Sequence, residues 1–385
     1  MNKKILALAL CLSLQACSKV DDYMLGVDNA PAPKALAPIK SNAKITEKWS
    51  VSAGKGQKTN ANLKLKPEII GNIIYTADAS GLIQAINKSS GQVIWTKNID
   101  SGIVSGPTLG SGYIALGTDS STLLLLKQSD GSQLWEAKAS GEVLSKPIIN
   151  GNKLIAKTID GNLYAFDLSD GHKLWMAEHA APSLILKASS SPVIVGNKLV
   201  LVGHSDGKMD ALDLQTGHLI WQRSIAFASG SSDVERLVDI DADPIVRGNV
   251  AYLASYQGYI GALSLTDGQF IWRKPASVYK NMTVDGQTIY LTDSEDVVWA
   301  INRQNGHVNW KQVALKARGL TEPVLMGDRL VLADKTGLLH VLLKNNGELV
   351  SRSQVGGAVA IAPTVAGKNV YLMSANGKLS RFSVS

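Results

Sequence analysis

Three carboxylates at alternating positions, Asp239, Asp241 and Asp243, are the residues of this 385-residue chain whose spacing first suggests chemistry, since calcium takes clustered oxygen ligands. The run does not go on as a calcium loop. An EF-hand would next place Gly and close on Glu at its twelfth position, whereas here Pro244 follows and Val250 stands at the twelfth. Alternating acids of this kind are read as solvated. Of the six histidines, His172, His218 and His307 each follow a glycine, which predicts exposed turns, and no pair has the i, i+4 spacing of a helical zinc site. The residues themselves therefore predict no catalytic group, no metal and no cofactor.

Whatever site exists must be positioned by a repeat. A turn glycine is followed four residues later by Trp at Gly91/Trp95, Gly131/Trp135, Gly171/Trp175, Gly217/Trp221, Gly268/Trp272 and Gly306/Trp310. Successive tryptophans are 40, 40, 46, 51 and 38 residues apart, the period of one four-stranded propeller blade. The clearest copy alternates through Leu163-Tyr164-Ala165-Phe166-Asp167, turns at Gly171, where positive φ is tolerated, and returns with Trp175. Apolar runs such as Leu123-Leu124-Leu125-Leu126 predict strands covered on both faces. Trp is expected to fill the wedge between blades, with its indole N–H needing an acceptor.

Two copies are incomplete. After Gly347 the place of Trp is assigned to Val350, and the copy at Gly377 ends with the chain. The segment from Ile45 to Val51 alternates like a strand and carries Trp49 with no turn glycine before it, so it is assigned to the last blade. The expected fold is all-β: an eight-bladed propeller of four-stranded antiparallel blades over residues 43–385, closed by the N-terminal strand so that no long sheet edge is left free.

Residues 1–16 have the order of a secretory signal, with Lys3 and Lys4 before an apolar run from Ile5 to Leu14 that is too short to span a bilayer. Leu14-Gln15-Ala16-Cys17 resembles the bacterial lipobox, which implies cleavage before Cys17 and its lipidation. The only other cysteine, Cys11, lies within the signal, so the mature chain cannot form an internal disulfide. Several acyl chains suffice for stable anchoring. Ser18 after the cysteine resembles the pattern of lipoproteins sorted to the outer membrane, which implies attachment to its periplasmic face. Residues 17–42, with Pro31, Pro33 and Pro38 and no alternation, are expected to form a flexible tether.

The formal charge of +7 overstates the mature protein, since Lys3 and Lys4 leave with the signal. No run of five basic residues and no aromatic-interleaved basic stripe is present, which argues against nucleic-acid binding.

Loop lengths single out one region. From the preceding Trp to the Pro that opens the next blade the spacing is 12, 12 and 13 residues at Pro107, Pro147 and Pro323, but 17 at Pro192 and 23 at Pro244. These two connections are consecutive and of one type, so they should project from the same face. The spacing of 18 from Trp49 to Pro67 shows that length alone does not single them out. The first connection holds Leu184, Ile185 and Leu186 beside Lys187; the second holds Asp233, Glu235, Arg236, Asp239, Asp241 and Asp243. An apolar centre with a charged rim suits a protein–protein patch. The alternative is that Leu184 and Leu186 extend a strand into the core.

The motif Ala-x-Asp-x-x-(Ser/Thr/Asp)-Gly-x-x-x-Trp, from Ala165 to Trp175 and from Ala211 to Trp221, resembles the PQQ-like repeat of quinoprotein dehydrogenases. Those enzymes are longer, and many carry an adjacent cysteine pair that the mature chain lacks. From the lipobox to the C-terminus the chain is more similar to the BamB family, lipoproteins of the outer-membrane β-barrel assembly (BAM) complex. The most specific stretches are 182–187 and 236–244. The resemblance implies a non-catalytic scaffold that binds the POTRA region of BamA, assists outer-membrane protein folding and insertion, and could touch unfolded clients. By position it makes Leu184, Leu186 and Lys187 partner contacts, with Lys187 standing where Arg is common, a change that removes a bidentate fork. Arg236, Asp239 and Asp241 match the second stretch and either contact the partner or brace the first loop. A generic periplasmic propeller that binds peptide or glycan is the other reading of the same repeat.

Overall fold

A computed structural model of the chain describes residues 31–57, 63–182, 184–185, 189–227, 231–232 and 237–385. Its strands form eight four-stranded antiparallel sheets arranged as the blades of a closed propeller. Blades 1 to 7 use four consecutive strands each, spanning residues 68–98, 103–138, 148–177, 193–224, 245–276, 283–312 and 324–354. Blade 8 combines Thr364–Ala366, Asn369–Met373 and Lys378–Val384 with the N-terminal strand Ile45–Ser52, which pairs antiparallel with Lys378–Val384.

Period-two alternation explains why the strands read as unbroken apolar runs. In blade 2, Leu123 and Leu125 pack toward blade 3 with Leu154, Tyr164 and Phe166, while Leu124 and Leu126 pack toward blade 1 with Ile74 and Ile86. Each buried leucine contributes roughly 2 kcal/mol of apolar burial, and both faces of the sheet collect it.

The Gly-x-x-x-Trp element is a clasp between blades. Within a blade, Trp pairs with the residue where third and fourth strands lose register, as in Ala85↔Trp95 and Ala165↔Trp175. This bulge turns the residue before Trp outward, so Ile94 is half exposed while Trp faces the next blade. There the indole N–H donates to a backbone carbonyl: Trp95 to Gln128 at 3.1 Å, Trp135 to Leu168 at 2.9 Å, Trp272 to Arg303 at 2.8 Å. The ring lies against that blade's turn glycine. A Cβ at Gly131 would come within 2.7 Å of Trp95, which is why the position excludes a side chain.

The seventh copy corrects the sequence reading. The residue paired with Val341, at the register of Trp, is Ser351 and not Val350. Ser351 stands four residues after Gly347, the offset of every full copy, whereas Val350 stands three after it. Trp is replaced there because blade 8 has chain ends where its turn glycine would be, and the incoming chain occupies that space. Ser351 donates to the Ala43 carbonyl at 2.7 Å, and the Asn42 N–H donates to Val350 at 2.8 Å. The stretch expected to be a flexible tether up to residue 42 is accordingly bound over its last part. Lys34 N–H donates to Lys316, Arg352 donates to the Ala37 carbonyl at 2.8 Å, and Leu36 packs on the cluster shared by blades 6 and 7. Cys17 lies outside the described residues.

Candidate functional site at two long loops

Both enlarged connections run from the outer strand of one blade to the inner strand of the next, residues 178–192 after blade 3 and 225–244 after blade 4. Leu184 is 43% exposed, so among the described residues of this stretch it does not tuck into the core. The second connection adds Phe227, 64% exposed, a residue that no repeat position and no neighbouring motif marks in the sequence. Leu186, Lys187 and Arg236 lie outside the described residues.

The acidic run is not solvated, which corrects the expectation for it. Asp239 and Asp241 are buried, and Ile240 between them packs against Gly203, where a Cβ would come within 2.4 Å of its side chain. Alternation here places the acids toward the hub of the ring. Asp243 ties three segments together: it accepts from Ser191 N–H at 2.6 Å, exchanges hydrogen bonds with Asn281, and is ion-paired with Lys64. Ile240 N–H donates to the His204 carbonyl, and Tyr256 N–H donates to the Asp239 carbonyl at 2.9 Å. The run thus stitches the roots of both loops to blades 4, 5 and 6.

Burial dominates the electrostatics of this hub. It pushes the Asp241 carboxyl up to about 7, with Asp239 adding to the rise and Lys64 and Lys157 opposing it. It also pulls the Lys157 ammonium down to about 8, against the pull of Asp241. Lys157 donates to the Gly203 carbonyl at 2.6 Å. Beside the hub a funnel of about 420 Å³ is lined by Lys64, Lys66, Lys146, Lys280 and Lys335 with Asp241, Asp243 and Glu322. Several of its charges are already matched, Lys146 by Glu68 and Lys280 by Asp296.

His172, His218 and His307 are exposed in hairpin turns, as their spacing predicts. Two other histidines, His179 and His204, are brought together from adjacent blades although 25 residues separate them in sequence, a pairing that local spacing could not reveal. Gly203-His204-Ser205-Asp206-Gly207 also spells the Gly-x-Ser-x-Gly of a hydrolase elbow, but it joins the strands Leu199–Gly203 and Lys208–Asp213 and leads into no helix.

Together these features define a class: a closed eight-bladed propeller of PQQ-like repeats, with a stitched hub and apolar residues on two long loops of one face. The chain matches the family described as "Outer membrane protein assembly factor BamB" over residues 79–312 and 313–385, and it belongs to that family. An outer membrane protein assembly factor BamB from Legionella pneumophila (strain Paris) is 61% identical over the full length of both chains. That of Alkalilimnicola ehrlichii is 40% identical over 98% of this chain and 96% of its own. The crystal structure of BamB from Moraxella catarrhalis superposes with a TM-score of 0.80 at 27% identity, covering 88% of this chain and 100% of that one. The chain is accordingly not an enzyme, although a quinohemoprotein alcohol dehydrogenase from Comamonas testosteroni, 14% identical, has a similar fold with a TM-score of 0.69.

Proposed function

We propose that this protein is a scaffold of outer-membrane protein assembly, anchored through Cys17 to the periplasmic face of the outer membrane and binding the POTRA region of BamA with its two long loops. The observation that carries the proposal is the pairing of an exposed apolar residue, Leu184, with a loop root that is hydrogen-bonded into the hub. A preformed surface loses little entropy on binding, and an apolar side chain on it offers area for a water-excluding contact. Leu186 and Lys187 extend that contact. Arg236 supplies a charged rim, whereas Asp239 and Asp241, being buried, brace the loops instead of touching the partner. Membership of the BamB family supports the same reading.

The test is binding of the soluble chain, residues 18–385, to the POTRA region of BamA from the same organism, compared with a Leu184→Ala/Leu186→Ala variant shown to melt normally. Binding by the wild type with a loss of about tenfold or more in the variant, about 1.4 kcal/mol, supports both function and site. Failure of the wild type to bind overturns the scaffold reading.

A further inference from the structure

Away from the loop tips, the junction of blades 3 and 4 collects the donors of a metal site. Nδ1 of His179 lies 3.0 Å from Oδ2 of Asp210, and Nε2 of His204 lies 3.2 Å from the same oxygen. Nε2 of His179 is also 3.2 Å from Oδ2 of Asp206. One donor atom each from His179, His204 and Asp210 falls within 4.8 Å of the others.

A buried acid–imidazole pair is by itself within the structural repertoire of this repeat. Blade 7 holds Asp334 and His340 at the same two register positions, 2.9 Å apart. The third group there is Arg318, whose Nε donates to Asp334 at 2.7 Å, a guanidinium that does not ligate metals. In blade 4 the third group is a second imidazole instead. The two rings are stacked with centroids 3.4 Å apart and planes 4° apart, a face-to-face arrangement that ring quadrupoles disfavour. His204 is 2% exposed; its Nε2 has only the contact with Asp210, while its Nδ1 and Oδ1 of Asp210 have no hydrogen-bond partner among the described residues. Such groups are costly to bury unless something satisfies them. They face a cleft of about 280 Å³ that Glu178 and His218 also line, so an ion has both room and a path in.

We propose that His179, His204 and Asp210 form a binding site for a divalent transition-metal ion of the zinc type, clipping the root of the Leu184 loop to blade 4. Two imidazoles and a carboxylate are a donor set zinc accepts, with Asp206 or water completing four-coordination. An ion lies in the plane of each imidazole that binds it, so the parallel rings turn apart on loading and exchange a ring-on-ring contact for ligation. His179 stands only five residues before Leu184, so the ion would hold the loop where it leaves blade 3.

The test uses the mature chain purified in detergent, stripped with chelator, and titrated with Zn²⁺ by calorimetry and with Co²⁺ by visible absorption. The expected result is one ion per chain, four-coordinate Co²⁺ bands, and a rise in melting temperature that chelator reverses. His179→Ala, at the loop root, and His204→Gln should each weaken binding about tenfold or more. His172→Ala, which removes the exposed group of Asp167, Asp170 and His172, should leave it unchanged. Absence of binding by the wild type overturns the proposal, as does full-strength binding in His179→Ala. Should His204→Gln fail to fold, His179→Ala decides.

Discussion

The indole of Trp49 packs on Gly91, joining the N-terminal strand to the turn of blade 1. A Cβ at Gly91 would lie 2.8 Å from the Trp49 ring, and the indole N–H donates to the Lys88 carbonyl at 3.2 Å. The same clasp that links blades 1 and 2 therefore also spans the closure between blades 8 and 1, carried by a strand that pairs with the C-terminal one. Replacing Trp49 with Ala should cost roughly 2–3 kcal/mol, less than the 3–5 of a fully buried tryptophan. Hydrogen exchange should show protection lost first in strand Lys378–Val384. An unchanged melt would mean that strand pairing alone closes the ring.

The turn glycines differ in what surrounds them, and that separates two costs usually confounded. Gly171 has φ +77° and a hypothetical Cβ 2.6 Å from Trp135, whereas Gly71 has φ +56° and open space. Gly71→Ala should lose about 1 kcal/mol, the cost of left-handed backbone. Gly171→Ala should lose a further 1–3 kcal/mol or so because the indole must shift. Urea denaturation of both variants measures the difference, and equal losses would show that the indole moves away freely.

The ring, its blade count and the closing strand were legible because glycine and tryptophan recur at fixed offsets and each has one physical role. The Trp register of blade 7 was also legible, since the four-residue offset from Gly347 falls on Ser351 and Val350 lies one residue short of it; that Ser351 holds the incoming backbone was not. Leu184 was legible as an interruption of the repeat. The burial of Asp239 and Asp241 was not, since alternating acids usually mark solvent and only the return of residues 237–243 to the hub explains them. The His179–His204 stack depends on which strands meet between blades, which no local spacing encodes.

In blade 7, Asp334 is wholly buried and accepts hydrogen bonds from Arg318, Thr336 and the Leu338 N–H. Burial alone would raise its pKa, but those donors and His340 hold its carboxyl far below the usual range. Asp334→Asn leaves the Arg318 guanidinium, 8% exposed, without its counter-charge. A loss of about 3–5 kcal/mol is expected. Adding Arg318→Met should restore a good part of it, because the uncompensated charge and not the missing pair is what costs. A double variant no more stable than Asp334→Asn would assign the loss to the hydrogen bonds instead.

Asp241 should make stability depend on pH in the opposite sense from Asp334. Its carboxyl, pushed by burial up to about 7, binds a proton more tightly in the folded chain than in the unfolded one. The resulting stabilisation is complete below the ordinary aspartate pKa of about 3.9 and is lost as pH rises through the folded value. Asn at this position mimics the protonated form at every pH. The wild type should therefore lose stability relative to Asp241→Asn between about pH 5 and about pH 7.5, by up to about 1.4 kcal/mol per pH unit. Asn at 241 also removes the charge that holds the Lys157 pKa up to about 8, so Lys157 loses its proton at lower pH in the variant, which gains stability as pH rises and keeps the sign of the difference. Urea denaturation of the two chains at the two pH values checks the sign directly. A difference that stays flat would mean that Lys64 and Lys157 keep Asp241 ionised throughout, and that the hub is held by ion pairs instead of by a protonated acid.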